Sequence, residues 1–424
     1  MSGRPVRIVA IGDELLEGRT SDTNSTRIQR ALGRHAVTVR DIAVVHDTEA
    51  DIAAALDRSE PGDIVFVCGG LGSTRDDLTR EAIAAWAGVP LQYREDVAAM
   101  LAERLRQRGI THHHGPQKQA LVPAGCEALP NPVGSAPGLV GCLHHRWLAV
   151  LPGVPAELSG LLPAVIARLE AAGQLPAGRE IRLWRTAQMA ELAVARATEP
   201  VRERFADLAW SWWLVDWGVD VRVAAAPGQE SDLDQAADDL DRVLGDIVYA
   251  RDMVDLPRVV QDLMLARGRT LAVAESCTGG LLGAAITAQD GSSGYYLGGV
   301  LSYADKVKTD LLGVPADLLA SVGAVSGPVA EHMAAGVRRR LGADYALSVT
   351  GIAGPGGGTD EKPVGTTWIG IAGPGGVRAG RFRFAGDRER NRRLAVACAL
   401  DVLRRELVGA PVFAPDRLTW GRPA

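Results

Sequence analysis

The residues best suited to chemistry by type and spacing lie in the C-terminal third. Ala274-Glu275-Ser276-Cys277-Thr278-Gly279-Gly280 follows a short apolar run, Thr270 to Val273, and opens an apolar helix. Gly291-Ser292-Ser293-Gly294 comes next, then a β-like run ending in Tyr303, with Lys308 beyond it. A glycine-rich stretch follows, Ser348-Val349-Thr350-Gly351-Ile352-Ala353-Gly354-Pro355-Gly356-Gly357-Gly358. A serine, a lysine and glycine loops, with no metal-ligand cluster beside them, point to metal-free nucleophilic attack on a bound nucleotide. A serine hydroxyl attacks poorly until a base takes its proton. The one histidine of this stretch, His332, reads as helix surface after Ser326. Lys308 is the better base, in the neutral form that burial or a neighbouring positive charge favours. Tyr303 would relay or orient the proton. Gly291 and Gly294 would let the Ser292-Ser293 loop turn its N–H groups toward a developing oxyanion.

A second constellation lies in the first third, on three loops at strand ends. These are Gly12-Asp13-Glu14 with Ser21 to Ser25, Gly69-Gly70-Leu71-Gly72-Ser73-Thr74-Arg75-Asp76-Asp77-Leu78-Thr79, and Asn131 to Gly138 with Ser135. Glycines let backbone N–H groups approach a phosphate, and a helix opening near Asp76 adds its positive end. Carboxylates beside a phosphate would repel it unless a divalent metal bridges them. Asp76, Asp77, Asp13 and Glu14 are the predicted ligands, with helix capping by Asp76 and Asp77 as the simpler alternative. The run His112-His113-His114 reads as a solvated loop, since adjacent histidines do not readily face one ion.

The elements that must carry these loops are α/β. Strand-like runs (Val6 to Ile11, Val37 to Val45, Asp63 to Cys68, Trp147 to Leu151) alternate with helical ones (Thr23 to Leu32, Ala50 to Leu56, Leu78 to Ala87, Pro155 to Leu169), predicting a largely parallel sheet. Pro176 to Gly178 breaks the pattern. From Glu180 to Ala250 the order reads strand, helix, strand, helix: a small α+β module whose Trp210, Trp212, Trp213 and Trp217 are read as core. The last third is again α/β, with strands at 270–275, 295–303, 344–350, 365–372 and 378–384 and helices at 254–265, 279–288, 326–341 and 387–407. The predicted boundaries are 1–172, 173–252 and 253–410, with a proline-rich tail from 411 to 424. The 424 residues exceed one ordinary core, and 47% hydrophobic against 23% charged is a globular balance. A net charge of -5 leaves no basic footprint for nucleic acid. The five cysteines are odd in number and unpaired in spacing, and no apolar run is long enough to span a membrane, so a cytoplasmic protein is expected.

Residues 6 to about 160 resemble the molybdopterin-binding fold of MoaB- and MogA-like proteins, and more closely the N-terminal domain of the CinA family. The match runs through Ala10 to Leu16, Asp22 to Ser25, the Gly69–Thr79 loop, Lys118 to Ala120, Asn131-Pro132 with Gly134, Ala136 to Gly138, and Leu151 to Pro155 with Glu157. The family usually has proline where this chain has Ser73. The resemblance implies metal-dependent cleavage of ADP-ribose, or binding or adenylylation of a pterin, with Gly69, Gly70, Gly72, Thr74, Asn24 and Ser135 on the substrate. Residues 258–407 resemble the CinA C-terminal domain, a PncC-type nicotinamide-mononucleotide amidohydrolase. The matching stretches are Ala272 to Gly280, Gly291 to Ser293, Tyr303, Lys308, Leu312 to Val314, Val325-Ser326, Thr350 to Gly357, Lys362 to Thr366 and Gly386 to Arg388. This second likeness implies Ser293 as nucleophile, Lys308 as base and Tyr303 as active-site tyrosine. It also implies Ser292, Thr350, Gly351, Gly354, Gly356 and Arg388 on substrate, no cofactor in this half, and a homodimer. Ala304-Asp305 stands where the family commonly has Ser-Asn. Cys277 is read as packing rather than chemistry. A regulatory role in competence or DNA damage is the alternative from another class.

Overall fold

The computed structural model describes residues 4–107, 116–413 and 419–420, apart from positions 34, 36, 38 and 177. The run His112-His113-His114 lies outside the described residues. The chain divides into two compact units, Met1–Arg179 and Glu180–Ala424.

The N-terminal unit is built on a six-stranded sheet. Its strands are β1 (Val6–Ile11), β2 (Val39–Val45), β3 (Ile64–Cys68), β6 (Cys126–Leu129), β7 (Gly138–Leu143) and β8 (Arg146–Leu151); β4 (Leu91–Tyr93) and β5 (Leu121–Pro123) form a separate ribbon. The order is β2-β1-β3-β8-β7-β6. The first four strands run parallel, while β7 and β6 turn back antiparallel. Alternation along β1 and β3 sends Ile8, Ala10, Ile64 and Phe66 against the helices Asn24–Leu32 and Pro155–Ala171. It sends Val9, Ile11, Val65 and Val67 against Glu49–Asp57 and Thr79–Ala87. Both faces are therefore covered, which explains why β1 and β3 read as continuous apolar runs.

The C-terminal unit holds two sheets. The smaller, β10-β11-β9-β12, uses β9 (Glu180–Thr186), β10 (Ala209–Val215), β11 (Gly218–Ala225) and β12 (Val248–Ala250). Where one strand was expected before the second helix, the chain makes a hairpin, because Asp216 and Trp217 reverse it between β10 and β11. Trp210 and Trp212 stack at 6.0 Å on the edge of this module's core, while Trp213 is 47% exposed. The larger sheet, β14-β13-β15-β16-β17-β18, uses β13 (Leu271–Glu275), β14 (Tyr296–Leu301), β15 (Tyr345–Gly351), β16 (Thr366–Gly373), β17 (Gly376–Phe384) and β18 (Thr419–Trp420). Strands β14, β13 and β15 are parallel, and β16 returns antiparallel. Val273, Leu347 and Ile369 pack on the helices Leu256–Ala266 and Arg388–Val408. Ala272, Ala274 and Ala346 leave room on the opposite face for the helix Gly327–Leu341. A buried ion cluster ties the small module to the last helix: Asp401 accepts from Arg404 at 2.6 Å and from Arg405 at 2.7 Å, and Arg405 reaches Asp246 at 2.9 Å. No helix of the described residues is long and apolar enough to cross a membrane.

Candidate functional site

In each unit the polar loops gather beyond the carboxyl ends of the parallel strands, where open α/β sheets bind ligands. In the larger C-terminal sheet, Glu275 at the end of β13 pairs with Leu301 of β14 and Val349 of β15. The next residue on each strand is Ser276, Ser302 and Thr350. Ser276 donates its N–H to Val349 O at 2.9 Å, and Ser302 donates to Glu275 O at 2.7 Å. The Ser276 side chain is 9% exposed, and its hydroxyl has no hydrogen-bond partner among the described residues.

Tyr303 and Lys308 stand at the same end. Lys308 lies on the helix Asp305–Leu312, a helix absent from the sequence prediction, and is 1% exposed. Its Nζ donates to Tyr303 O and to Asp305 Oδ1, each at 3.2 Å. Tyr303 is 65% exposed, and its hydroxyl is 3.4 Å from Arg388 Nη2. Arg388 Nη1 donates to Gly354 O at 2.8 Å, so one side chain links the tyrosine to the glycine loop.

Ser293 is elsewhere. It is exposed, in the turn Ser292–Gly294 that enters β14, where Tyr295 O accepts the N–H of Leu271 at the start of β13. Tyr303 leaves the far end of β14, six residues of strand away, about 20 Å at the usual rise. Ser292 lies at the same end of β14 as Ser293. The loop after β13 leaves from the strand end that also carries Tyr303, and its serine is Ser276. The sequence signal was present, a serine directly after an apolar strand, but strand polarity is what separates it from Ser293.

The neighbours of Ser276 are held firmly. The buried Glu275 carboxylate accepts from the N–H groups of Gly280 at 2.9 Å, Leu282 at 3.1 Å and Gly283 at 2.9 Å. It thus occupies the positive end of the helix Leu281–Thr287, which an anionic substrate group would otherwise use. Arg392 donates to Cys277 O at 3.2 Å and Thr278 O at 2.7 Å, and Asn391 to Ala353 O at 3.1 Å. These two clamps were missed, because charged and amide residues opening a long helix look like solvated surface. Burial pushes the Cys277 thiol up to about 12, which removes it as a nucleophile. Thr350 is fully buried and spends its hydroxyl proton on Ala324 O at 2.9 Å, tying down the loop rather than donating to a ligand. Gly351 is required by closeness: a Cβ there would meet Thr367 Oγ1 at 2.6 Å and Cys277 Sγ at 3.1 Å. Gly356 is exposed, with open space around it.

The N-terminal loops enclose a cavity of about 570 Å³. Glu14, Asn24, Gly70, Gly72, Asp77 and Ser135 line it, whereas Gly69, Thr74, Asp13 and Asp76 lie outside its lining. Asn24 donates to Gly153 O at 2.7 Å and leaves its buried Oδ1 without a partner. Ser135 accepts from Gln119 at 3.4 Å. Glu157 also lines the cavity and accepts from Asn131 Nδ2 at 2.6 Å.

Of the predicted metal ligands, Asp13, Glu14 and Asp76 lie around Asp47, whereas Asp77 turns to its own loop. The helix after the loop begins at Thr79, so neither aspartate caps it. Asp77 instead closes its own loop, accepting from Gly72 N and Thr74 N at 2.8 Å each. Asp13 pairs with His46 at 2.8 Å, and its carboxylate raises the imidazole above its ordinary value. Among the described residues no three His, Cys, Asp or Glu groups converge on one point. Asp76 is exposed and held below the usual carboxylate value, first by the Thr74 hydroxyl. Asp47, missed in the sequence, is raised by burial and by the charges of Asp13, Glu14 and Asp76 around it. Asp77 therefore does not fit as a ligand. A cation that draws most of its shell from substrate phosphates and water needs only one or two carboxylates, and Asp76 with that group meets this lesser requirement. Asp77→Ala is expected to cost about 1–2 kcal/mol by freeing two loop N–H groups, while Asp76→Ala leaves the thermal midpoint in place. Equal midpoints for the two variants in thermal melts would contradict the loop-closing role.

Comparison with known proteins agrees with this two-unit layout. Residues 254–407 match the model of the CinA C-terminal domain, and residues 7–171 that of a probable molybdopterin binding domain. A CinA-like protein of Anaeromyxobacter sp. (strain Fw109-5) is 42% identical over 413 residues, covering 94% of this chain and 98% of that protein. The chain belongs to the CinA family. A second CinA-like protein, from Citrifermentans bemidjiense, is 40% identical over 95% of this CinA chain and 97% of its own. Among solved structures, a competence-damaged protein (CinA) superfamily protein from Klebsiella pneumoniae 700603 is 39% identical, over 36% of this chain and 96% of that one, with a TM-score of 0.36.

Proposed function

We propose that the C-terminal unit hydrolyses the carboxamide of nicotinamide mononucleotide to nicotinate mononucleotide and ammonia, with Ser276 as nucleophile. The reading rests on one observation: β13 and β14 deliver Ser276, Tyr303 and Lys308 to a single strand end, and Arg388 meets Tyr303 there. Ser276 Oγ attacks the carboxamide carbon as Lys308 Nζ, in its neutral amine form, accepts the hydroxyl proton. Collapse of the tetrahedral adduct breaks the C–N bond, and the proton held on Lys308 passes to the leaving nitrogen, releasing ammonia. A water molecule, giving a proton to Lys308 in turn, then attacks the ester; Lys308 returns that proton to the departing Ser276 Oγ, and the carboxylate is freed. The Tyr303 hydroxyl, placed by Arg388, orients the proton between them.

For the N-terminal unit we infer cleavage of ADP-ribose to AMP and ribose 5-phosphate, which makes the chain a bifunctional enzyme of pyridine-nucleotide salvage. A divalent cation, when bound, would neutralise the pyrophosphate, held by Glu14 at the cavity wall with Asp13, Asp47 or Asp76 nearby. The match of residues 7–171 to a probable molybdopterin binding domain supports a second reading, a pterin ligand in the same cavity. A homodimer in the cytoplasm remains the expected setting. The test is a panel: purified protein with nicotinamide mononucleotide, ADP-ribose or a molybdopterin precursor, with and without EDTA. Chelation is expected to abolish ADP-ribose cleavage and to leave ammonia release intact, because the proposed Ser-Lys chemistry of the second unit uses no metal. Loss of both activities in EDTA would refute the separation, and turnover of the pterin alone would favour the second reading.

A further inference from the structure

Behind the N-terminal glycine loop sits a buried guanidinium that makes no ion pair among the described residues. Arg80, in the first turn of the helix Thr79–Ala87, is fully buried. Its Nη2 donates to Leu71 O at 2.8 Å and its Nη1 to Gly72 O at 3.4 Å, while Nε has no partner. Among the described residues no carboxylate lies within ion-pair distance of it; adjacent Glu81 pairs with Lys118 instead, and Asp77 is occupied by the loop. The charges of Glu81 and Asp77 reach the guanidinium, but neither carboxylate bonds it, and a buried charge with no bonded counter-charge is unfavourable, so its presence behind a ligand cavity needs a reason.

The rest of the loop is turned the same way. Thr79 donates its hydroxyl to Gly69 O at 2.9 Å and its N–H to Gly70 O at 3.3 Å, and Lys118 Nζ donates to Thr74 O at 2.9 Å. The recorded carbonyls thus face protein donors. The N–H groups of Gly70 and Leu71 have no acceptor among the described residues, and both residues line the cavity. Gly70 takes φ +62°, and a Cβ there would meet Thr79 Oγ1 at 2.2 Å, so the loop can adopt this form only with glycine.

We propose that Arg80 is the positioning residue of the N-terminal site: it holds the loop carbonyls inward, presents the Gly70 and Leu71 N–H groups to a ligand's pyrophosphate, and supplies the positive charge that this anion balances. The proposal rests on the reading of this cavity as a site for a pyrophosphate-bearing nucleotide. Arg80 touches no substrate; it acts through the loop and through its field.

Calorimetry on the full chain tests it, with inorganic pyrophosphate, ADP-ribose and uncharged adenosine as probes and ammonia release from the other unit as the control for intact protein. Wild type is expected to bind pyrophosphate, and no binding of pyrophosphate or ADP-ribose overturns the cavity reading and this proposal together. Arg80→Gln keeps a donor for Leu71 O but loses the charge. It is expected to bind pyrophosphate and ADP-ribose about ten-fold more weakly or worse, with adenosine unaffected. Arg80→Lys, which keeps the charge, is expected to recover most of that loss. A Gln variant that binds pyrophosphate as wild type does, while wild type binds well, overturns Arg80's role and leaves the cavity reading standing. Equal weakening toward adenosine and pyrophosphate also overturns it, since that is the mark of a merely structural residue. Should Arg80→Gln not fold, the Lys variant decides: ADP-ribose affinity within about three-fold of wild type supports the charge, and a loss beyond ten-fold overturns it.

Discussion

Lys308→Ala is expected to lower ammonia release from nicotinamide mononucleotide by about 10²- to 10⁴-fold, the usual worth of a positioned general base. Lys308 is 1% exposed, and its Nζ is fixed by Tyr303 O and Asp305 Oδ1 at the strand end that carries Ser276. Lys308→Arg is expected to fare no better, because a guanidinium stays protonated and cannot accept the serine proton. Lys308→Met, close in length and apolar, separates chemistry from packing: it should fold with the wild-type midpoint and still be inactive. ADP-ribose cleavage should continue in all three. Combining Lys308→Ala with loss of the nucleophile should add little, since residues acting as one unit are grossly non-additive. An Arg variant with near-wild-type turnover would remove Lys308 from proton transfer.

The layered α/β character was legible in the sequence because both faces of β1, β3, β13 and β15 are covered, which writes strands as unbroken apolar runs. The hairpin β10–β11 was not, since Trp212, Trp213 and Leu214 continue the apolar character across what is an exposed edge. The helix Asp305–Leu312 was missed for the opposite reason: it buries only Lys308 and Leu312, so its periodicity is faint. Site residues followed the same division. Tyr303, Lys308, Arg388 and the Gly354 loop are joined by hydrogen bonds. Ser293 does not join them, and spacing along the chain does not reveal which end of a strand a loop occupies. The Asp76-Asp77 pair was read as one unit, yet the two side chains do different things. Asp77 turns inward to bind N–H groups of its own loop, and Asp76 stays in solvent. Neighbours of sequence need not share a target.

The central claim is that amide hydrolysis runs through a serine at the carboxyl end of β13, and the most direct measurement is ammonia release by Ser276→Ala beside Ser293→Ala. Removing a nucleophile removes covalent catalysis as a whole, so Ser276→Ala is expected to fall by about 10⁴-fold or more. The deleted hydroxyl has no hydrogen-bond partner among the described residues, so the thermal midpoint should stay near that of wild type. Ser293, exposed and at the far end of β14, should tolerate alanine with most of its activity kept, as should Ser292. An active Ser276→Ala enzyme paired with an inactive Ser293→Ala one would contradict the account.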